Sequence, residues 1–130
     1  MKHIRFIKEG ESYNPKNAFI AHLPKSIKGK KELLDQINIH LRMPDYFGFN
    51  WDALLECLQD FHWIKEREIA LIHYDLPLLD EANLKTYLTI LFEATNSWKN
   101  GEGHQLEVVF PESVQSKIKD LIDSLGNGIN

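Results

Sequence analysis

The sequence predicts an α/β fold: a small three-stranded parallel sheet with helices packed against it and one further C-terminal helix. Short apolar runs rich in Ile, Leu and aromatics stand at 18–23 (AFIAHL), 69–74 (IALIHY) and 106–110 (LEVVF), each bounded by Pro, Gly or charge. Between them lie stretches whose apolar residues recur at helical spacing. The resulting order is strand, two helices, strand, helix, strand. It calls for parallel neighbours, because a parallel strand needs a crossover long enough to hold a helix.

Taken in chain order, HIRFI at 3–7 alternates apolar and polar residues and reads either as a further edge strand or as part of an N-terminal extension. Leu33, Leu34, Ile37 and Leu41 fall at i, i+1, i+4 and i+8, a helical stripe that Pro44 should stop. A second, shorter helix is expected from Asn50 to Phe61, with the Asn50 side chain capping otherwise unpaired backbone N–H groups. Leu84, Tyr87, Leu88, Leu91 and Trp98 carry a third helix across 80–99, with Asn100 and Gly101 as its stop. Val114, Ile118, Leu121, Ile122 and Leu125 mark the fourth, ended by Gly126.

The chain has 130 residues, with 15 basic and 19 acidic side chains and a net charge of −4. Length and globular composition fit one domain over 1–130. The acidic balance argues against a general nucleic-acid binder, which shows a basic excess or stripe. Cys57 stands alone, so neither an intramolecular disulfide nor a multi-cysteine zinc pattern is available. Charges interrupt every apolar stretch of MKHIRFIKEGE, and no eighteen apolar residues run together, so neither secretion nor membrane insertion is expected. A cytoplasmic setting fits best, with no cofactor and no metal.

The charge is uneven. Segment 42–61, RMPDYFGFNWDALLECLQDF, holds four acids (Asp45, Asp52, Glu56, Asp60) and one base (Arg42), a net of −3, which leaves −1 for the other 110 residues. On a helical wheel of about 100° per residue, Asp52, Glu56 and Asp60 share one face. Leu54, Cys57, Leu58 and Phe61 fall on the opposite arc with Trp51, and Leu55 lies at the boundary. Acids opposite an apolar arc also describe any surface helix, and Asp52 suits a helix N-terminus through the macrodipole alone. The approach to the helix adds weight, because PDYFGFN surrounds a glycine with Tyr46, Phe47 and Phe49 beside the acidic face. Aromatics next to desolvatable charge are typical of protein-binding hot spots. Phe47 is expected to bury itself, and Cys57, on the apolar arc, is assigned to packing rather than nucleophilic chemistry.

PDYFGFNWDALLECL resembles the barstar family of intracellular ribonuclease inhibitors, whose pattern runs Pro, acid, Tyr, aromatic, Gly, any residue, Asn, any residue, Asp-Ala-Leu, then an acid and Cys-Leu. The strand and helix order supports the resemblance over about 17–110, with the N-terminal segment and the C-terminal helix outside that core. The resemblance implies a small three-stranded parallel sheet with helices against it. It also implies an inhibitor that inserts a carboxylate-bearing helix and its preceding loop into a nuclease's cationic active site, at 1:1. On this resemblance Tyr46, Asn50 and Asp52 match the family's contact surface, Glu56 takes the place of the most deeply inserted aspartate, and Glu93 matches a second acidic contact. Leu55 and Phe61 stand where the family relative has Trp, and Asp60 where it has Gly. With Phe49, these residues form the expected partner surface. Glu for Asp at 56 extends the carboxylate by roughly 1.5 Å, which implies a different target enzyme.

Two other readings compete. His73 and Asp75 in IHYD lie at the expected C-terminal end of a strand, where open α/β sheets commonly place ligand sites, and would suit a small hydrolytic enzyme with His as general base. The scaffold could also serve a binding module without nuclease inhibition. The remaining histidines show no paired metal spacing, and GEGHQL at 101–106 precedes a strand and lacks the third glycine of a dinucleotide loop.

Overall fold

The computed structural model describes residues 3–99 and 102–129, the side chains only up to 124. The expected stop at Asn100 and Gly101 lies outside the described residues. The elements run β1 (Ile4–Ile7), β2 (Ala18–His22), α1 (Gly29–His40), α2 (Trp51–Leu58), β3 (Glu68–Ile72), α3 (Glu81–Ser97), β4 (Gln105–Pro111), a short 3-10 turn (Glu112–Val114) and α4 (Gln115–Ile129). The sheet has four strands in the order β1-β4-β3-β2, all pairings parallel.

Four strands replace the expected three. HIRFI is the edge strand of its two readings: Ile4 pairs with Val108 and Phe6 with Phe110. β3 pairs with only one edge of β4, and β1 satisfies the backbone groups of the other, Val108 N donating to His3 O at 3.0 Å, while the Phe6 ring stacks on Phe110 at 6.3 Å.

From β2 through β3 to β4 the chain advances in one direction across the sheet, and crossovers of one hand then put α1, α2 and α3 on the same side, where α4 also packs. Accordingly Ala21, Ile69, Leu71, Leu106, Val108 and Phe110 join the buried residues of all four helices in one core. Ala70, Ile72 and Val109 face the other way, under Ile7, Tyr13 and Ile20.

Helix ends differ from expectation for local reasons. α1 stops at His40, before Pro44 can act, because Arg42 adopts a left-handed backbone (φ 52°). α2 ends at Leu58, not Phe61, and Phe61 is likewise left-handed (φ 54°). α4 continues through Gly126 to Ile129; glycine inside a helix costs only about 1 kcal/mol.

An eight-residue helix such as α2 has little stability of its own. Tryptophan indoles fix both of its ends to α3. Trp51 Nε1 donates to Asn83 Oδ1 at 3.2 Å, and Trp98 Nε1 donates to the Leu58 carbonyl at 2.9 Å, one of the acceptors a helix end leaves unpaired. Trp63 Nε1 similarly reaches the Leu41 carbonyl at the end of α1, at 3.0 Å. Trp98→Phe should cost about 1–2 kcal/mol, read as a lower urea midpoint at unchanged slope. An unchanged midpoint would show that the indole contributes nothing to seating α2.

Candidate functional site

α2 presents the acidic face, and its N-terminus is built by the loop before it. Pro44 O accepts from Phe47 N at 2.9 Å, closing a turn that buries Phe47 and leaves Tyr46 65% exposed. Asn50 is the expected cap: its Oδ1 accepts from Ala53 N at 2.8 Å and its Nδ2 donates to Gly48 O at 3.2 Å. Position 48 favours glycine because a Cβ there would stand 3.1 Å from Asn50 Nδ2.

Phe49 and Phe61 both hold left-handed backbone, φ 51° and 54°, at a cost of roughly 1–2 kcal/mol each for a bulky residue. The two differ in what burial returns. Phe61 is 0% exposed and packs among Trp63, Trp98 and His104. Its expected place on the contact rim is therefore corrected: a ring wholly inside the core cannot meet a partner. Phe49 touches Phe47 with ring centroids 4.9 Å apart, yet stays 48% exposed.

Asp52, Glu56 and Asp60 are all exposed, opposite buried Leu54, Cys57 and Leu58. Glu56 and Asp60 line one cleft of about 100 Å³ with Tyr46, Phe47, Ala53 and Cys57. Among the described residues neither Asp52 nor Glu56 forms an ion pair, whereas Asp35, Glu68, Glu81 and Glu107 each have a basic partner. The negative field is felt locally. Burial raises the Cys57 thiol above its usual range, and the Asp60 and Glu56 carboxylates raise it further. The Tyr46 hydroxyl is raised too, by partial desolvation and then by Asp60.

Leu55 is half-buried and packs against the core, so only part of it remains for a partner. Glu93 lies exposed on α3, the helix that holds α2, but outside the cleft.

Sequence reasoning missed His62. Its Nδ1 lies 2.9 Å from Asp60 Oδ2, its backbone N donates to Asp60 Oδ1 at 3.2 Å, and its ring runs parallel to Tyr46 at 6.3 Å. The Asp-x-His spacing was the available signal. With Phe61 turned inward by its left-handed backbone, Asp60 and His62 emerge on the same outer side.

The His73–Asp75 pairing does not form. β3 ends at Ile72, and buried His73 spends both ring nitrogens elsewhere: Nδ1–H donates to Val109 O at 3.1 Å, and Nε2 accepts from Tyr87 O–H at 2.6 Å. The tautomer follows from the carbonyl, which can only accept. Asp75 instead accepts from Ser26 N at 2.9 Å. Desolvation pushes the His73 pKa down to about 4. With Nε2 already engaged by Tyr87, the ring has no nitrogen free to take a substrate proton.

The fold and surface define a small α/β domain that presents an anionic, aromatic-edged helix from a rigid seat. Its sequence matches the model of Barstar (barnase inhibitor) over residues 19–111, the span from β2 to β4, and the chain belongs to the Barstar family. Members of that family are inhibitors rather than enzymes. β1 and α4 lie outside the matched span. No curated protein matches the chain. No helix among the described residues is long and apolar enough to cross a membrane.

Proposed function

We propose that this protein is a ribonuclease inhibitor that blocks the active site of a cognate ribonuclease or ribonuclease toxin, at 1:1, with α2 and the loop before it. The contact surface comprises Asp52, Glu56, Asp60 and Glu93 as carboxylates, Tyr46, Phe49 and the exposed part of Leu55 as apolar contacts, and Asn50 chiefly as the cap that holds the loop. One observation carries this reading: Asp52 and Glu56 stand exposed and, among the described residues, without an ion-pair partner, on a helix fixed at both ends. Carboxylates held this way can replace RNA phosphates against the cations of a nuclease at little ordering cost, because the backbone is already in place. An inhibitor of this kind works in the cytoplasm, protecting cellular RNA either from the producer's own enzyme or from a competitor's toxin.

The test is titration of the purified protein into a panel of basic microbial ribonuclease domains, with RNA cleavage as readout. Activity of the cognate member should vanish at one equivalent, and affinity should fall steeply as salt rises, because screening weakens attraction between charged surfaces. A nuclease left fully active at equimolar inhibitor, though it binds, would support a binding module on the same scaffold; absence of binding across the panel would remove the ribonuclease as partner.

A further inference from the structure

Beside the acidic face, α1 and the loop before α2 enclose a groove of about 350 Å³, lined by Lys30, Lys31, Leu34, Asp35 and Phe49. This is at the small end of the roughly 300–1,000 Å³ range of ligand pockets, the scale of a side chain and its immediate neighbours. Phe49 is held in it at φ 51° with nearly half its surface exposed. Backbone strain that burial does not offset concentrates at binding sites. Lys30 Nζ stands 5.1 Å from the Trp51 ring centroid, and the exposed Lys31 pairs with Asp35 at 2.9 Å.

We propose that this groove is a second docking site on the same partner surface, taking an apolar side chain flanked by a carboxylate from the ribonuclease that α2 engages. The proposal rests on the ribonuclease-inhibitor reading and deepens it. Phe49, which lines the groove, packs on Phe47, which lines the acidic cleft, with ring centroids 4.9 Å apart, so the two sites adjoin and one partner can cover both. The charge changes sign between them. Lys31 is paired with Asp35 inside the groove, which leaves Lys30 as its cation without an ion pair among the described residues; a partner offering only cations would meet repulsion there, and the group that complements Lys30 is an acid. The exposed ring of Phe49 and the side chain of Leu34 call for an apolar neighbour to that acid. A cationic active site can be common to many ribonucleases, so this second site selects among them.

The experiment measures binding of a catalytically inactive form of the ribonuclease found to be inhibited to the full-length protein and three variants. Phe49→Gly removes the ring while suiting the left-handed backbone, so it keeps the fold; it should weaken binding ten- to a hundredfold. Lys30→Glu decides by sign. If only long-range attraction to a basic nuclease matters, the added negative charge tightens binding; if the groove receives a carboxylate, it weakens binding about tenfold. Glu56→Ala reports on α2 separately. Loss of affinity in Glu56→Ala, with Phe49→Gly within twofold of the parent and Lys30→Glu tighter, would overturn the groove and leave the inhibitor reading standing. Failure of the parent protein to bind the nuclease would end both. A dimer of the free protein that Phe49→Gly dissolves would assign the groove to a second copy, and also overturn the proposal.

Discussion

Glu56→Ala is expected to weaken binding of the cognate ribonuclease by about 3–5 kcal/mol, the usual consequence of leaving a buried partner charge without its counter-charge. In the free protein Glu56 is exposed, forms no ion pair among the described residues, and lies mid-helix, where Ala is a good helix former. Folding stability should therefore move by no more than about 0.5 kcal/mol. That separation between binding and stability is the informative part: calorimetric titration should show a large affinity loss while the urea midpoint stays put. Glu56→Gln keeps the shape and removes the charge, so its loss should approach that of Ala if electrostatics dominates. Asp52→Ala should lose less binding and some stability, because Asp52 also interacts with the α2 N-terminus, worth about 0.3–1 kcal/mol. If both alanine variants bind as the parent does, the contact surface is not α2.

Much of this site was legible because helix two is governed by local rules. Asn50 caps, Phe47, Cys57 and Leu58 bury, and Asp52 and Glu56 face out, all from spacing and side-chain chemistry. Phe61 shows where a borrowed position fails. The helical wheel put it on the apolar arc, whereas the family pattern put it on the rim, and the fold buries it through a left-handed turn after the helix has ended. The fourth strand was ambiguous because a short alternating segment gains its identity from a partner about a hundred residues away, Ile4 against Val108. The pairings that seat α2 join residues 32 and 40 positions apart, and no periodicity reports such contacts.

The His73–Tyr87 pair makes stability depend on pH in a direction the geometry fixes. Both groups are fully buried; the ring also stacks on Phe110 at 4.1 Å, and Tyr87 packs against Trp51 at 6.0 Å. A proton on Nε2 would turn that atom into a donor facing the Tyr87 hydroxyl and place a charge on a ring that is 3% exposed. The folded-state pKa is accordingly pushed from 6.5 down to about 4. Below about pH 6.5 the unfolded chain binds a proton here that the folded chain refuses until about pH 4, so the unfolded state gains as pH falls. The contribution is complete above that window and is lost through it, about 3 kcal/mol in total, of which about 2 kcal/mol disappears between pH 7 and pH 5. Urea unfolding at pH 8, 7, 6 and 5 should show this decline in the parent. His73→Gln, which can donate to a carbonyl and accept from a hydroxyl without titrating, should be less stable at pH 8 yet nearly flat down to pH 5.5. Equal slopes in parent and variant would show that His73 is not held neutral. Because Trp51 anchors one end of α2 and rests on Tyr87, acid unfolding should remove the proposed contact surface in the same transition as the core, with partner binding and tryptophan fluorescence falling together.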